Sequence, residues 1–169
     1  MFRWLIDKVA ASSPVAAGGF AGAVRANMAG TDDETIRIVV AVAGLLGTVA
    51  YADRRYAPEE EQRIRQELER VEALTPAGVD AVCAALREHI VEISTIEAPF
   101  YARELLALAD RDLRLQVLDA LVDLAAADNE ITVVETNLLR LTATALGLTQ
   151  GDYNACQERH RDKLAVFKR

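Results

Sequence analysis

The sequence predicts an all-α protein: a single compact array of seven or eight helices with two pseudo-repeated helix–acidic turn–helix units. Three observations carry this. Apolar residues recur at helical spacing along most of the chain. No stretch alternates apolar and polar residues over the length of a strand. Prolines, threonines, aspartates and a glycine punctuate the periodic stretches where helices should start and stop. A chain of 169 residues that is 51% hydrophobic and 27% charged suits one domain with a sizeable core.

Residues 1–10 read as a short amphipathic helix. Phe2, Leu5, Ile6 and Val9 fall on one side, Trp4 widens it, and Arg3, Asp7 and Lys8 lie elsewhere. Such a segment suits either peripheral membrane contact or docking on a protein surface. Residues 11–30, with Ser12-Ser13-Pro14 and Gly18-Gly19, read as a Gly/Ala-rich linker. The helical domain is expected over 31–169. Thr31 and Glu34 spell a capping box, and the helix after them runs to about Ala52 with apolar residues nearly all round, as a buried central helix should. Pro58 opens the next helix, with Glu59, Glu60 and Glu61 at the positive end of its dipole. Thr75-Pro76, Pro99, Asp110 or Asp112, Thr132 and Thr149 open the others. Gly147 stops the helix that Thr132 begins, and the last runs to about Leu164.

A net charge of −7 offers no basic stripe to neutralise phosphates, so a nucleic-acid role is excluded. Cys83 and Cys156 lack metal-ligand spacing and fit buried, reduced thiols in a cytoplasmic protein. No secretory signal is evident, because Asp7 interrupts the apolar run near the start. The longest apolar run, 38–52, is too short for an ordinary membrane span.

The chain repeats itself weakly. A shift of 75 residues lays Asp53 on Asp128, Leu46 on Leu121, Ala50 on Ala125, Glu60 on Glu135 and Ile64 on Leu139. A slip of one residue then lays Leu74-Thr75 on Leu148-Thr149. Each copy reads as helix, acidic turn, helix, threonine-capped helix. In the second turn Asp128, Glu130 and Thr132 alternate, and Glu135 returns one helical turn later. Hard cations such as Ca²⁺ or Mg²⁺ take oxygens of this kind, and a helix C-terminus adds unpaired carbonyls. Candidate metal ligands are therefore Asp128, Glu135 and Glu130, with Asp53 and Glu60 from the first turn. The competing account is that Thr132 and Glu135 form a capping box and need no ion. In the first turn Arg54 and Arg55 replace Asn129 and Glu130, so positive charge stands against cation binding there. The twelve-residue loop and turn glycine of an EF-hand are missing from both.

The run Ala126-Ala127-Asp128-Asn129-Glu130-Ile131-Thr132-Val133-Val134-Glu135, leading to Leu138-Leu139 and Leu146-Gly147-Leu148-Thr149, resembles the tellurite-resistance TerB family. The same domain stands at the front of a membrane-anchored DnaJ-like co-chaperone. The resemblance spans roughly residues 31–164. It implies a compact helical domain with paired acidic turns, proposed to bind divalent metal and linked to stress-response complexes near the membrane. Asn129 stands where the family usually has glycine, and asparagine tolerates the same left-handed backbone. The DnaJ-like activity does not carry over: His160-Arg161-Asp162 lacks the proline of that signature tripeptide.

No nucleophile–base pair or phosphate loop accompanies these features, so a non-catalytic module with an unidentified protein partner is expected. Gly44 and Gly47 lie within a buried helix and read as packing positions. His89 and His160 read as surface or boundary residues. The alternative to a metal-binding module is a purely structural helical protein–protein interaction domain with no metal site.

Overall fold

The computed structural model describes residues 19–96, 98–127 and 130–164. The helix expected over 1–10 lies outside them. Eight α-helices follow one another among the described residues: α1 (Gly19–Ala26), α2 (Asp33–Ala50), α3 (Pro58–Leu68), α4 (Pro76–Thr95), α5 (Ala98–Leu108), α6 (Arg111–Ala125), α7 (Val133–Ala145) and α8 (Gln150–Glu158). A 3-10 turn, Arg161–Lys163, follows α8. An isolated parallel bridge between Ile131 and Leu164 is the sole β-type pairing among the described residues.

The hub is α2. Its apolar residues nearly encircle it, and it packs against α1, α3, α4, α5, α6 and α7, with Ile38 and Val42 only half-buried. Two glycines let neighbours approach closely. A Cβ on Gly44 would fall 2.6 Å from Cζ of the buried Tyr101 on α5, and one on Gly47 would meet Leu86 of α4 at 3.1 Å. Arg37 of α2 and Glu104 of α5 form an ion pair beside this contact. The α8 helix stands apart from the hub and packs on α6 and α7, where the Tyr153 hydroxyl donates to the Thr136 carbonyl at 3.1 Å.

Helix starts follow the capping chemistry of the sequence, with one shift. Asp32, not Thr31, caps α2: its Oδ1 accepts from the Thr35 N–H at 2.8 Å. The Thr31 N–H is already committed to the Met28 carbonyl at 3.1 Å, which keeps Thr31 in the preceding turn. Asp110, Thr75 and Thr149 cap α6, α4 and α8 as their side chains allow.

Two stretches differ from expectation. Residues 19–30 are not linker: α1 buries Phe20, Ala21 and Val24, and Met28 follows into the core. Phe20, Val24 and Met28 are spaced by four, a helical stripe that the surrounding glycines and alanines obscure. At the other end α8 stops at Glu158, well before Leu164. The chain then turns back, so that Ile131 N–H donates to the Lys163 carbonyl at 2.8 Å and the Lys163 ammonium to the Ala126 carbonyl at 2.8 Å.

The internal repeat is visible in the helix ends. At a shift of 75 residues the last residue of α2, Ala50, falls on the last of α6, Ala125, and the first of α3, Pro58, on the first of α7, Val133. The N-caps of α4 and α8, Thr75 and Thr149, follow with the one-residue slip.

Gly44→Ala should lower stability by about 1–3 kcal/mol through overpacking against Tyr101, measured by urea unfolding. Replacing Asp152 should give a pH-dependent loss. The Thr149 N–H and hydroxyl, aided by the Arg111 guanidinium, hold the Asp152 carboxyl below the usual carboxylate range. Its contribution is therefore present at neutral pH and lost as pH falls below about 4 through the depressed value. Asp152→Asn should unfold at lower urea than the parent at pH 7, and the gap should close at acid pH.

Candidate functional site

Each acidic turn is the seven-residue connection between a buried helix and the next one. In the first, residues 51–57, the Asp53 carboxylate accepts from the Arg55 N–H at 2.8 Å. Arg54 between them has φ +66°, a left-handed conformation that costs a non-glycine residue about 1–2 kcal/mol. Arg54 is the residue that the repeat lays on Asn129, so this structural position is one where glycine or asparagine belongs. Ala57 then caps α3 without a side-chain oxygen, while its N–H donates to Glu60 Oε2 at 2.7 Å. The first copy thus keeps half of a capping box.

The second turn, residues 126–132, keeps the whole box. Thr132 N–H and hydroxyl donate to Glu135 Oε2 at 2.8 and 2.7 Å, and the Glu135 N–H donates to Thr132 Oγ1 at 3.2 Å. Asp128 and Asn129 lie outside the described residues. Lys163 places its ammonium on the Ala126 carbonyl, as cations do at helix C-termini.

The tertiary structure brings together the helix ends that flank these two turns. Glu60 and Glu135 line one cavity of about 20 Å³, room for a single water molecule or small ion. Ala50 and Ala125 line it too, as do Val49 and Leu124, so three pairs of repeat-equivalent residues face the same space. Glu59 and Arg63 of α3 complete the charged part of the wall. Neither was singled out from sequence. Their repeat equivalents are Val134 and Leu138, and the signal that could have found them is the four-residue spacing that stacks Glu59 and Arg63 on one side of α3.

Asp53 and Glu130 are exposed and do not line this cavity. Of the sequence candidates within the described residues, the fold therefore gathers Glu60 and Glu135 only. The wall carries three carboxylates, one from the second copy and two from the first, beside the ends of two helices. Arg63 brings the opposite charge. Among the described residues, no three histidine, cysteine, aspartate or glutamate side chains form a group that could hold a metal.

The remaining chemistry-bearing side chains stand elsewhere. His89 contacts Glu92 at 3.1 Å and His160 contacts Asp123 at 2.7 Å. Both cysteines are buried and free, and burial pushes the Cys83 thiol up and the Cys156 thiol to about 11. Neither is a ready nucleophile at neutral pH.

The contrast between the two caps is testable. Thr132→Ala should cost about 1 kcal/mol by removing the hydroxyl that caps α7, and Ala57→Ser should gain a comparable amount by supplying one to α3. Chemical unfolding of the two variants checks both signs.

No curated protein and no solved structure matches the chain. The family profile described as tellurite resistance protein TerB matches residues 39–158, from within α2 to the end of α8, and includes both turns and every residue lining the small cavity. With most of its length matched, the chain belongs to the TerB family.

Proposed function

We propose that this TerB domain is a non-catalytic module that takes one divalent cation, Ca²⁺ or Mg²⁺, where its two acidic turns meet. The observation that carries the reading is the convergence of Glu60 and Glu135, one from each copy, on a cavity of single-ion size. In both glutamates the capping bonds fall on Oε2, so the role of cap does not by itself use up the Glu135 carboxylate. Glu59, Glu60 and Glu135 would hold the ion, with Asp128 added from the second turn. The ion would supply positive charge that ties the ends of α2 and α6 to the starts of α3 and α7, and so would couple occupancy to the relative position of the two copies. Such a module fits a role as an interaction partner in a stress-response complex, either cytoplasmic or at a membrane surface. Among the described residues no helix is long and apolar enough to cross a membrane.

A second reading is favoured by the same bonds. The glutamates are caps, Arg63 and Lys163 already bring positive charge to the turns, and the domain is a structural interaction unit with no ion.

Calorimetric titration of the intact protein separates the two. The expected outcome is saturable binding of Ca²⁺, Mg²⁺ or Mn²⁺ in the millimolar range or tighter. Glu135→Gln and Asp128→Ala should weaken it by tenfold or so, about 1.4 kcal/mol, and Asp53→Ala should weaken it less. Silence for all three ions would leave the structural reading. A greater loss from Asp53→Ala than from Asp128→Ala would move the site to the first turn.

A further inference from the structure

A second concavity opens along the seam between the two copies of the repeat. It has a volume of about 580 Å³, in the range of small-molecule sites, which helical proteins build between their helices. At the shift of 75 residues Ile38 falls on Leu113 and Val42 on Val117. All four line the seam, so the same side of α2 and of α6 faces one space, and Val71, after α3, adds a third wall. Ile38, Val42, Val71 and Leu113 pack on the core yet stay only half-buried, which leaves aliphatic surface uncovered there. The charges at the mouth are already answered within the protein. Glu67 accepts from the Arg70 guanidinium at 2.9 and 3.1 Å. Asp119 and Asp123 pair with Arg159 at the end of α8, and Asp123 also meets His160 at 2.7 Å. The Thr35 hydroxyl is committed to Asp32 at 2.7 Å, while Glu72 and Gln116 are exposed to water. Burial pushes the Glu67 carboxyl above the usual carboxylate range even beside Arg70, which marks this wall as one of low polarity.

We propose that this seam is a binding site for an uncharged, largely aliphatic small molecule. Its size and its lining set the hydrocarbon body of the ligand: the walls hold no aromatic ring, so aliphatic contact is what they offer. Its charge balance sets the rest. A ligand of either charge would have to break an ion pair at the mouth or lie against the apolar walls without a counter-charge, and both are costly. A neutral molecule meets neither cost. Its body would cover the half-buried side chains of α2 and α6, and a hydroxyl or other neutral head would lie at the mouth beside Gln116 and water. Because repeat-equivalent residues form the two long walls, an occupant touches both copies at once, and binding would hold α2 and α6 in their present relation. The site is separate from the cation cavity and does not depend on it.

N-phenylnaphthylamine, a neutral probe whose fluorescence rises in apolar surroundings, tests this on the intact protein in the absence of lipid. It should bind saturably, and decanol should displace it. Decanoate and decylammonium, of the same chain length but opposite charges, should each displace it about tenfold less well or worse. Ala120→Phe, which fills the seam from a half-buried position, should abolish the signal. Val91→Phe, on an exposed part of α4 outside the seam, should leave it unchanged. Photolysis of an aliphatic alcohol carrying a diazirine, on the unaltered protein, should label Ile38, Val42, Val71, Leu113 or Ala120. Absence of saturable binding overturns the proposal, whether the seam stays empty or another part of the chain fills it. Displacement by either charged ligand as good as by decanol also overturns it, as does a signal that survives Ala120→Phe in a folded protein. Labels that map only outside the seam overturn it as well, and they decide the matter if Ala120→Phe does not fold.

Discussion

The burial of α2 is the constraint on which the rest of the molecule depends. A helix with apolar residues nearly all round must be covered nearly all round, and six other helices cover most of it. Close approach is what makes the cover dense. Gly44 lets the Tyr101 ring lie on the helix backbone, and Gly47 lets α4 settle against it through Leu86 and Ile93. Each removes a side chain that would hold the neighbouring axis away. A hub of this kind also fixes where the chain must leave it. The C-terminus of α2 emerges at Tyr51 beside the C-terminus of α6, and both turns begin there.

From that placement follows the unequal treatment of the two copies. The same positions, 60 and 135, carry glutamates with the same capping role, and the fold sets them around one small space. The flanking positions have diverged. Glu59 and Arg63 face the space from the first copy, where the second has Val134 and Leu138 in register. The first turn also keeps Arg54 in a left-handed conformation that its side chain disfavours, and has lost the capping hydroxyl at Ala57. The second turn holds the better cap and receives the chain end, through Lys163 on Ala126 and Ile131 on Lys163.

Two concavities border α2. At its C-terminal end lies the charged cavity between the turns. Along its Ile38–Val42 side lies the groove with the acidic rim. They are separate in chemistry, one of single-ion size and polar in its glutamates, the other broad and apolar. Asp123 and Leu124, neighbours on α6, line the groove and the cavity respectively, so one helix is shared by both.

Much of the fold was legible in the sequence because helices announce themselves locally. Pro58 and Pro76 mark first turns, Thr75, Thr132 and Thr149 supply capping oxygens, and Gly147, at φ +69°, ends α7. These signals act over three or four residues and need no tertiary partner. The α1 helix was missed because eight residues are too few to be stable alone, and tertiary contacts hold them: packing of Phe20, Val24 and Met28 and the bond from the Phe20 N–H to Glu92. The repeat and the pair Glu60 and Glu135 were also readable, as positions with equal spacing from equal helix ends. What the sequence determined by itself was this set of helices and their caps. Which carboxylates meet was decided by tertiary structure alone. Asp53 bends back onto the Arg55 N–H and does not line the cavity, while Glu59 and Arg63 of α3 do. A charge pattern along a chain carries no information about the distance between turns 75 residues apart; the packing around α2 supplies it.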